Sequence, residues 1–363
     1  MISMETYDLR GCNEEALIQV CQELGLKRFR AAQLFQWVQQ KAVRSWSEIS
    51  NIGKEDRSVL SAHLQLHPLE RIKEQRSADG TRKYLFRLHD GEMIECVLMD
   101  YVREQSRDRH TVCVSTQVGC AVGCAFCATG MEGFRRNLTM GEILGQVLDI
   151  TYFVRQEDPE FQVTNVVFMG MGEPLLNYEQ VLQAIMLMNH ERGLNIGMRR
   201  MTVSTSGVVP RILQLAKDNP QVGLAVSLHA ADDTTRSQLV PMNRKYPLAQ
   251  LMESCREYSR ITHRRITFEV ALTADNANQT QAEAFVRLLK GQLGHVNLIP
   301  VNPVAGTGLE RPDLEKLKKF AHVLEVGGIS VSWREEKGTD IDAACGQLRR
   351  QWRVGNNEPI DSI

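Results

Sequence analysis

The sequence has no long apolar run, no large net charge and no apolar leader. A membrane helix needs about 18 or more continuous apolar residues, and no stretch of the 363 residues approaches that length. A secretory signal peptide needs an apolar segment near its start, and the opening MISMETYDLRGCNEE contains none. We therefore expect a cytoplasmic protein without a membrane partner. Its 43% hydrophobic and 24% charged residues are ordinary for a globular chain.

The cysteines number nine, which leaves one unpaired in any disulfide framework. Without an export signal, this count favours metal or thiol chemistry. Cys120, Cys124 and Cys127 fall within eight residues of 113-CVSTQVGCAVGCAFCATG-130, among glycines that allow tight turns. Their spacing lets three thiolates converge on one metal centre. A structural zinc site needs a fourth Cys or His that no nearby spacing supplies. A 4Fe-4S cluster with three thiolates leaves one iron open to a ligand that is not protein.

From residue 111 onward, strand-like runs alternate with helical ones. Such a repeat favours parallel strands covered by helices. Six units are fewer than the eight of a closed barrel, so we predict an α/β fold with an open, partial (β/α)6 barrel over residues 111–335. The predicted strands are 111–115, 164–170, 200–206, 222–230, 265–272, 295–302 and 329–333, and the predicted helices lie around 139–155, 178–191, 210–218, 248–260, 278–292 and 312–326.

Two smaller regions precede the barrel. Residues 1–67 include a helical apolar pattern, and from residue 21 to residue 87 thirteen Lys and Arg stand against seven Asp and Glu. The charge suits a solvated helical surface as well as RNA phosphates, and a position before a catalytic barrel favours RNA. Within 68–110, two alternating runs flank the turn signal HDG and predict a β-hairpin. The charged stretch 100–110 is predicted to be a loop that faces RNA.

Polar residues follow several predicted strands, where such barrels build their sites. Each alone is more typical of a cap or a turn than of a ligand contact. Around one metal-binding loop, their combination favours a ligand site. They occur in 170-GMGEPLLNY-178, 204-STSG-207, 227-SLHA-230 and 300-PVNP-303, and include Gly172, Glu173, Ser204, Ser227, Leu228, His229 and Asn302.

Two further thiols stand outside the three-cysteine loop. Cys345 follows the last predicted strand, in the segment 336–363. Its neighbours in 338-GTDIDAACGQL-348 are small and polar, which suits a segment that brings a thiol into a site, although distant cysteines are more often buried and inert. Cys113 lies in the strand before the loop, and strand alternation directs it towards the barrel interior. We assign no role to Cys12, Cys21, Cys96 and Cys255.

Four motifs, CVSTQVGC, FCATG, FMGMGEPLLNY and GTDIDAACGQL, together resemble the radical S-adenosylmethionine (SAM) RNA methyltransferases that methylate carbon 2 of adenosine. The resemblance extends from about residue 20 to about residue 350. It implies a radical-SAM barrel, one 4Fe-4S cluster on Cys120, Cys124 and Cys127, and SAM bound at the open iron. Two molecules of SAM are consumed per turnover. The strand-end residues named above are implied as SAM contacts.

The resemblance also implies a catalytic sequence. Cys345 takes a methyl group from one SAM and becomes S-methylcysteine. A second SAM yields a 5′-deoxyadenosyl radical, which removes a hydrogen from that methyl, and the resulting carbon radical adds to adenine. Glu95, in the strand motif IEC, then removes the proton on carbon 2, a role that does not fall to Glu92. Cys113 finally attacks the sulfur of Cys345, and a transient disulfide releases the RNA.

The implied substrates are an adenosine in the peptidyl-transferase region of 23S rRNA and the adenosine 3′ of the anticodon in certain tRNAs. An electron donor such as flavodoxin or ferredoxin would reduce the cluster, and the protein is expected to be a monomer. One alternative is the sister enzyme that methylates carbon 8 of the rRNA adenosine and confers antibiotic resistance. Another is a non-catalytic iron-sulfur or zinc protein that binds RNA.

Overall fold

The computed structural model describes residues 7–101, 108–302, 308–333 and 337–343. The strands of these residues are β1 Tyr7–Asp8, β2 Leu64–Gln65, β3 Glu70–Arg76, β4 Arg82–Arg87, β5 Met93–Tyr101, β6 Arg109–Cys113, β7 Gln117–Gly119, β8 Phe134–Asn137, β9 Asn165–Phe168, β10 Met201–Thr205, β11 Gly223–Ser227, β12 Ile266–Leu272, β13 Gly294–Pro300 and β14 Val331–Trp333. The helices are α1 Glu14–Glu23, α2 Phe29–Phe35, α3 Lys54–His63, α4 Ala128–Met131, α5 Met140–Arg155, α6 Tyr178–Asn189, α7 Val209–Asp218, α8 Asp233–Leu239, α9 Leu248–Thr262, α10 Gln279–Leu289 and α11 Leu314–Val326.

A ten-stranded sheet in the order β14-β13-β12-β11-β10-β9-β6-β5-β4-β3 organises the chain. From β6 through β9 to β14 all neighbours are parallel, which gives the six predicted βα crossovers. Within the described residues β14 and β3 form the two edges and do not pair with each other, so the sheet is open as predicted. The side chains of the strands at its centre are buried or half-buried, because helices cover one face of the sheet and the other face lines the interior of the partial barrel.

The six predicted barrel helices are all present, at α5, α6, α7, α9, α10 and α11. Local signals set their starts. Thr139 accepts a hydrogen bond from the Glu142 amide, and the Glu142 carboxylate accepts one from the Thr139 amide, a capping box that begins α5. No described helix is long and apolar enough to cross a membrane.

Strands β3 to β6 form an antiparallel extension of the sheet. The predicted hairpin corresponds to β4 and β5, but the prediction of a loop over 100–110 is wrong at both of its ends. Asp100 and Tyr101 continue β5 and pair with His110 and Arg109 of β6. Cross-strand contacts explain the added length: His110 Nδ1 lies 2.8 Å from Asp100 Oδ1, and the Arg109 guanidinium lies 3.9 Å from the Tyr101 ring centre. Residues 102–107 lie outside the described ranges.

Helices α1 to α3 form the N-terminal helical unit, whose buried apolar residues, including Leu17, Leu34 and Phe35, belong to the same hydrophobic core as those of the barrel. A buried polar contact also joins the unit to the barrel. The guanidinium of Arg10 donates to both carboxylate oxygens of Asp149 on α5, at 2.5 and 2.9 Å, and both side chains are at most 1% exposed. This pairing joins the N-terminal region to α5.

Candidate active site

The carboxyl ends of the parallel strands surround a cavity of about 190 Å³. Apolar side chains from β5, β9 and the loop after β13 form much of its wall, and polar groups project from the strand ends. Its lining includes ten of the residues singled out from the sequence, namely Cys113, Cys120, Cys124, Cys127, Gly172, Glu173, Ser204, Ser227, His229 and Asn302.

The three-cysteine loop is held between β7 and β8. The amide of Cys120 donates to the carbonyl of Gly133 at 2.9 Å, and the amide of Cys127 donates to the carbonyl of Cys124 at 3.1 Å. Gly119 has φ +74°, and a Cβ there would lie 1.9 Å from the Gly133 carbonyl oxygen. Only glycine therefore lets the chain turn into the loop, and the turn directs all three thiols towards one cavity wall.

The chemistry of these thiols fits a cationic metal cluster. Burial raises the pKa of Cys120 to about 11 and the pKa of Cys124 well above its ordinary value, and the negative charge of Cys127 raises both further. Ionised thiolates in this surrounding need a strong positive charge beside them, which an iron centre supplies. In the part of the chain that the structure describes, no group of three His, Cys, Asp or Glu side chains is arranged to hold a single metal ion.

Glu173 follows β9, directly after a turn that requires glycine at position 172. Gly172 has φ +103°, and a Cβ there would lie 2.6 Å from the Gln117 side chain. The Glu173 carboxylate accepts hydrogen bonds from the amide and hydroxyl of Ser206, both at 2.7 Å, and from the amide of Leu175 at 3.0 Å. Burial nevertheless raises its pKa, because it outweighs these donors. The carboxylate is thus fixed in one orientation at the cavity wall.

His229 follows β11 with the left-handed φ of +60°. Its Nδ1 accepts a hydrogen bond from the Ala271 amide at 3.0 Å, and its ring packs edge-on against Phe126 of the cysteine loop at 4.6 Å. Burial lowers its pKa to about 3, so the imidazole is neutral at physiological pH. Leu228, predicted as a contact, is not part of the cavity wall: its side chain is fully buried in the core.

Arg236 on α8 is a residue that supports the cavity wall and that the sequence did not reveal. It is fully buried and donates to the carbonyl oxygens of Ser206 at 2.7 Å, Ser227 at 3.1 Å and Leu228 at 3.0 Å. It therefore ties together the ends of β10 and β11. Its positive charge also favours ionisation of Cys124, although burial of that thiol dominates. No local signal marks it, because its partners come from other elements.

Comparison with known proteins shows which family has this architecture. A model of the radical SAM superfamily matches residues 114–279, and a model of the ribosomal RNA large subunit methyltransferase N-terminal domain matches residues 7–66. A probable dual-specificity RNA methyltransferase RlmN from Desulfitobacterium hafniense strain Y51 is 68% identical over 351 residues, which cover 97% of this chain and 98% of that protein. The chain belongs to the RlmN family of radical SAM RNA methyltransferases.

Further similarities agree with this family. A protein of the same name from Heliobacterium modesticaldum is 50% identical over 348 residues, 96% of this chain and 90% of that one. The crystal structure of a radical SAM methyltransferase from Sphaerobacter thermophilus has a TM-score of 0.90 at 45% identity and covers 94% of this chain and 99% of that one. The predicted radical-SAM barrel is thereby confirmed, and membership of the superfamily implies SAM and a 4Fe-4S cluster.

The remaining residues predicted for the site of this RlmN-family chain are Glu95, on the antiparallel extension, and Cys345. Glu95 on β5 is buried but does not line the cavity, whereas Val97 on the same strand does. The Ser115 hydroxyl donates to the Glu95 carbonyl at 2.6 Å. Glu92 instead accepts a hydrogen bond from Arg135 at 2.8 Å near the surface. Cys345 lies outside the described residues.

Proposed function

We propose that this chain methylates carbon 2 of an adenosine in the peptidyl-transferase region of 23S rRNA and of the adenosine 3′ of the anticodon in certain tRNAs. The observation that carries the proposal is the single cavity shared by the cysteine loop, Cys113 and the Glu173 turn. The family model for a ribosomal RNA methyltransferase domain supports the rRNA substrate, and the dual specificity named for the relatives supports a second RNA.

Cys120, Cys124 and Cys127 would hold the 4Fe-4S cluster, which together with SAM supplies a 5′-deoxyadenosyl radical. Carbon 2 of adenine is a poor nucleophile, so its methylation needs such a radical. Glu173, held by Ser206 and Leu175, presents its carboxylate to the amino group of SAM. The apolar wall keeps water from the reactive intermediates.

Three residues handle the methyl group and the proton in this proposal. The Cys345 sulfur accepts the methyl of the first SAM, and Glu95 removes the carbon 2 proton after the methyl carbon has bonded to adenine. The unpaired electron that this addition leaves on the adenine ring would return to the cluster held by Cys120, Cys124 and Cys127, which restores the aromatic ring. Cys113 then attacks the Cys345 sulfur, the sulfur–carbon bond breaks with its electron pair on carbon, and that carbon takes up a proton. The position of Cys113 in the cavity lining supports its proposed role in this step.

The N-terminal unit, which we propose as an RNA-binding domain over residues 1–67, offers a suitable surface. Lys27, Arg28 and Phe29 are consecutive and exposed at the start of α2, with Phe29 50% exposed. Cationic side chains beside an exposed ring suit phosphates and an unstacked base. Trp37 and Trp46 instead pack against the core.

Further assignments of the proposal concern the rest of the chain. Residues 68–110 link the N-terminal unit to the barrel of residues 111–335, and residues 336–363 carry the methyl-accepting thiol. We also propose that the enzyme acts as a monomer and receives electrons from a flavodoxin or ferredoxin.

The proposal is tested by anaerobic reconstitution with iron and sulfide, followed by incubation with SAM, dithionite and either unmodified 23S rRNA or unmodified tRNA. Mass spectrometry of the digested nucleosides should show 2-methyladenosine from both RNAs. Detection of 8-methyladenosine would instead assign the chain to the resistance enzymes. The control is Cys345→Ala, which should give no methylated base. Unchanged cellular function of that variant would support a non-catalytic RNA-binding protein.

A further inference from the structure

The turn between β3 and β4 contacts the segment Gly338–Ala343. One of these contacts joins Asp79 to Gly338, which are 259 residues apart in the sequence. The Gly338 amide donates to the Asp79 carboxylate at 2.9 Å, and the Ala78 amide donates to the Asp340 carboxylate at 3.2 Å. The fit is close, because a Cβ at Gly338 would lie 2.9 Å from the Thr81 methyl group. Two reciprocal hydrogen bonds and a tight contact therefore join the turn to this segment.

The turn is well ordered by its own hydrogen bonds. The Ser77 amide donates to the Thr81 carbonyl at 2.8 Å, and the Thr81 amide donates to the Asp79 carboxylate at 2.9 Å. Partial burial raises the pKa of Asp79, but the donors from Gly338, Thr81 and Ser77 outweigh it and lower that pKa to about 2. Asp79 is thus an ionised acceptor in the docked structure, and the Gly338 amide is one of the donors that keep it ionised.

Lys83, two residues after the turn, makes a second attachment. It is 6% exposed, and its Nζ donates to the Asp342 carbonyl oxygen at 3.1 Å. The same Nζ lies 3.9 Å from the Glu95 carboxylate. Lys83 is directly opposite Val97, which is directly opposite Cys113, so these three residues occupy one row across β4, β5 and β6. The buried cation of Lys83 therefore contacts both the segment Gly338–Ala343 and Glu95, the proposed base. Glu95 lies on β5, the strand whose Val97 lines the cavity.

The docked segment ends at the cavity itself. Ala343 lines the cavity together with Cys113, and its amide donates to the Gly338 carbonyl at 2.9 Å. Ala343, the last residue that the structure describes, thus lies in the cavity wall.

We propose that Lys83 and Asp79 are positioning residues that dock Gly338–Ala343 and so deliver the Cys345 thiol to Cys113 and Glu95. The role of Cys345 in this inference rests on the proposed function, whereas the docking does not. Neither residue was singled out in the sequence, because the two sides of the contact come from opposite ends of the chain.

The docking is tested by hydrogen exchange with mass spectrometry on the full-length protein, without RNA. Lys83→Met keeps the length of the buried side chain but removes its charge and donor, and Asp79→Ala removes the acceptor. Exchange of the Gly338, Ile341 and Ala343 amides should accelerate roughly 10-fold in each variant. Lys83→Arg should stay within about 3-fold of wild type, because it restores a cationic donor.

A matched control is Lys318→Met, which removes an exposed lysine from α11 and should leave the exchange of this segment unchanged. Wild-type exchange in both Lys83→Met and Asp79→Ala would overturn the docking. A variant that fails to fold would show faster exchange throughout the sheet, so β12 amides serve as the internal reference. Two chemically different variants keep the test decisive if one of them is poorly folded.

The delivery of the thiol is tested in the reconstituted enzyme. Peptide mass spectrometry measures the methylated fraction of Cys345, and product analysis measures 5′-deoxyadenosine formed per methylated adenosine. Lys83→Met should lower the methylated fraction of Cys345 at least 10-fold, or raise the ratio of 5′-deoxyadenosine to methylated adenosine at least 10-fold. Lys83→Arg should restore both quantities. If hydrogen exchange shows that Gly338–Ala343 is undocked in Lys83→Met but both quantities keep their wild-type values, the proposed delivery of the Cys345 thiol is wrong. If wild-type enzyme methylates no RNA, the proposed function fails, and hydrogen exchange alone still decides the docking.

Discussion

Replacing Asp149 by alanine should weaken the attachment of the N-terminal helical unit more than any surface change. The carboxylate is fully buried and receives two hydrogen bonds from Arg10, one from the Leu69 amide at 2.8 Å and an ion pair from Arg44 at 2.9 Å. Removing one partner of a buried ion pair leaves an uncompensated charge and costs about 3–5 kcal/mol. A typical domain has only about 5–15 kcal/mol of stability, so the loss should be large.

Urea denaturation measures this cost. In a background with Trp333 and Trp352 replaced by phenylalanine, the fluorescence of Trp37 and Trp46 reports the helical unit. Far-ultraviolet circular dichroism reports the whole chain. The unfolding midpoint of Asp149→Ala should fall for both signals, and the fluorescence transition should come first if the unit detaches separately. The double variant with Arg10→Ala should lose less free energy than the sum of the single variants, by more than about 1 kcal/mol.

The matched control is Glu315→Ala, because Glu315 pairs with Lys319 at 2.7 Å on the exposed face of α11. Exposed pairs contribute little to stability, so this variant should keep the wild-type midpoint. Equal midpoints for Asp149→Ala and Glu315→Ala would refute the view that the buried pair joins the unit to the barrel.

Three further predictions concern the site. Gly119→Ala should contain much less iron than wild type after reconstitution, as measured by metal analysis. Gly25 is also left-handed, at φ +69°, but has open space around it, so the control Gly25→Ala should retain its iron. Equal iron content in the two variants would contradict the steric argument. The folded chain resists protonating His229, whose pKa is about 3 against 6.5, so this group should lower stability as pH falls from 6.5 towards 3. Urea unfolding of His229→Asn should remove up to about 1.4 kcal/mol per pH unit of that slope, and an unchanged slope would contradict it. Cys113→Ala should accumulate a covalent RNA–protein adduct on denaturing gels, whereas free methylated RNA at the wild-type rate would exclude its role in release.

Local patterns predicted the barrel well. Apolar runs, helix caps such as Thr139 with Glu142, and the spacing of the three cysteines all act within a few residues, so the sequence displays them directly. Strand β3 was not predicted, because its residues are mostly charged and polar and its pairing with β4 supplies the order. The extension of β5 and β6 into the charged stretch likewise depends on cross-strand pairs.

The supporting residues of the site could not be read from the chain. Arg236 acts through carbonyl groups at the ends of two other strands, and Lys83 acts through Asp342, 259 residues away. Nothing in the neighbouring sequence distinguishes either from an ordinary surface cation. The proposed ligating and reacting residues lie in local motifs, whereas the residues that position them become visible only in the folded chain.

Isotope labelling tests the radical route through Cys345 most directly. The reconstituted enzyme, given SAM with a fully deuterated methyl group and unmodified 23S rRNA, should produce 2-methyladenosine with two deuterium atoms in its methyl group. The third should appear in 5′-deoxyadenosine, because the radical removes one hydrogen from the methyl on sulfur before carbon–carbon bond formation. A methyl group that keeps all three deuterium atoms would mean direct transfer from SAM and would contradict the mechanism.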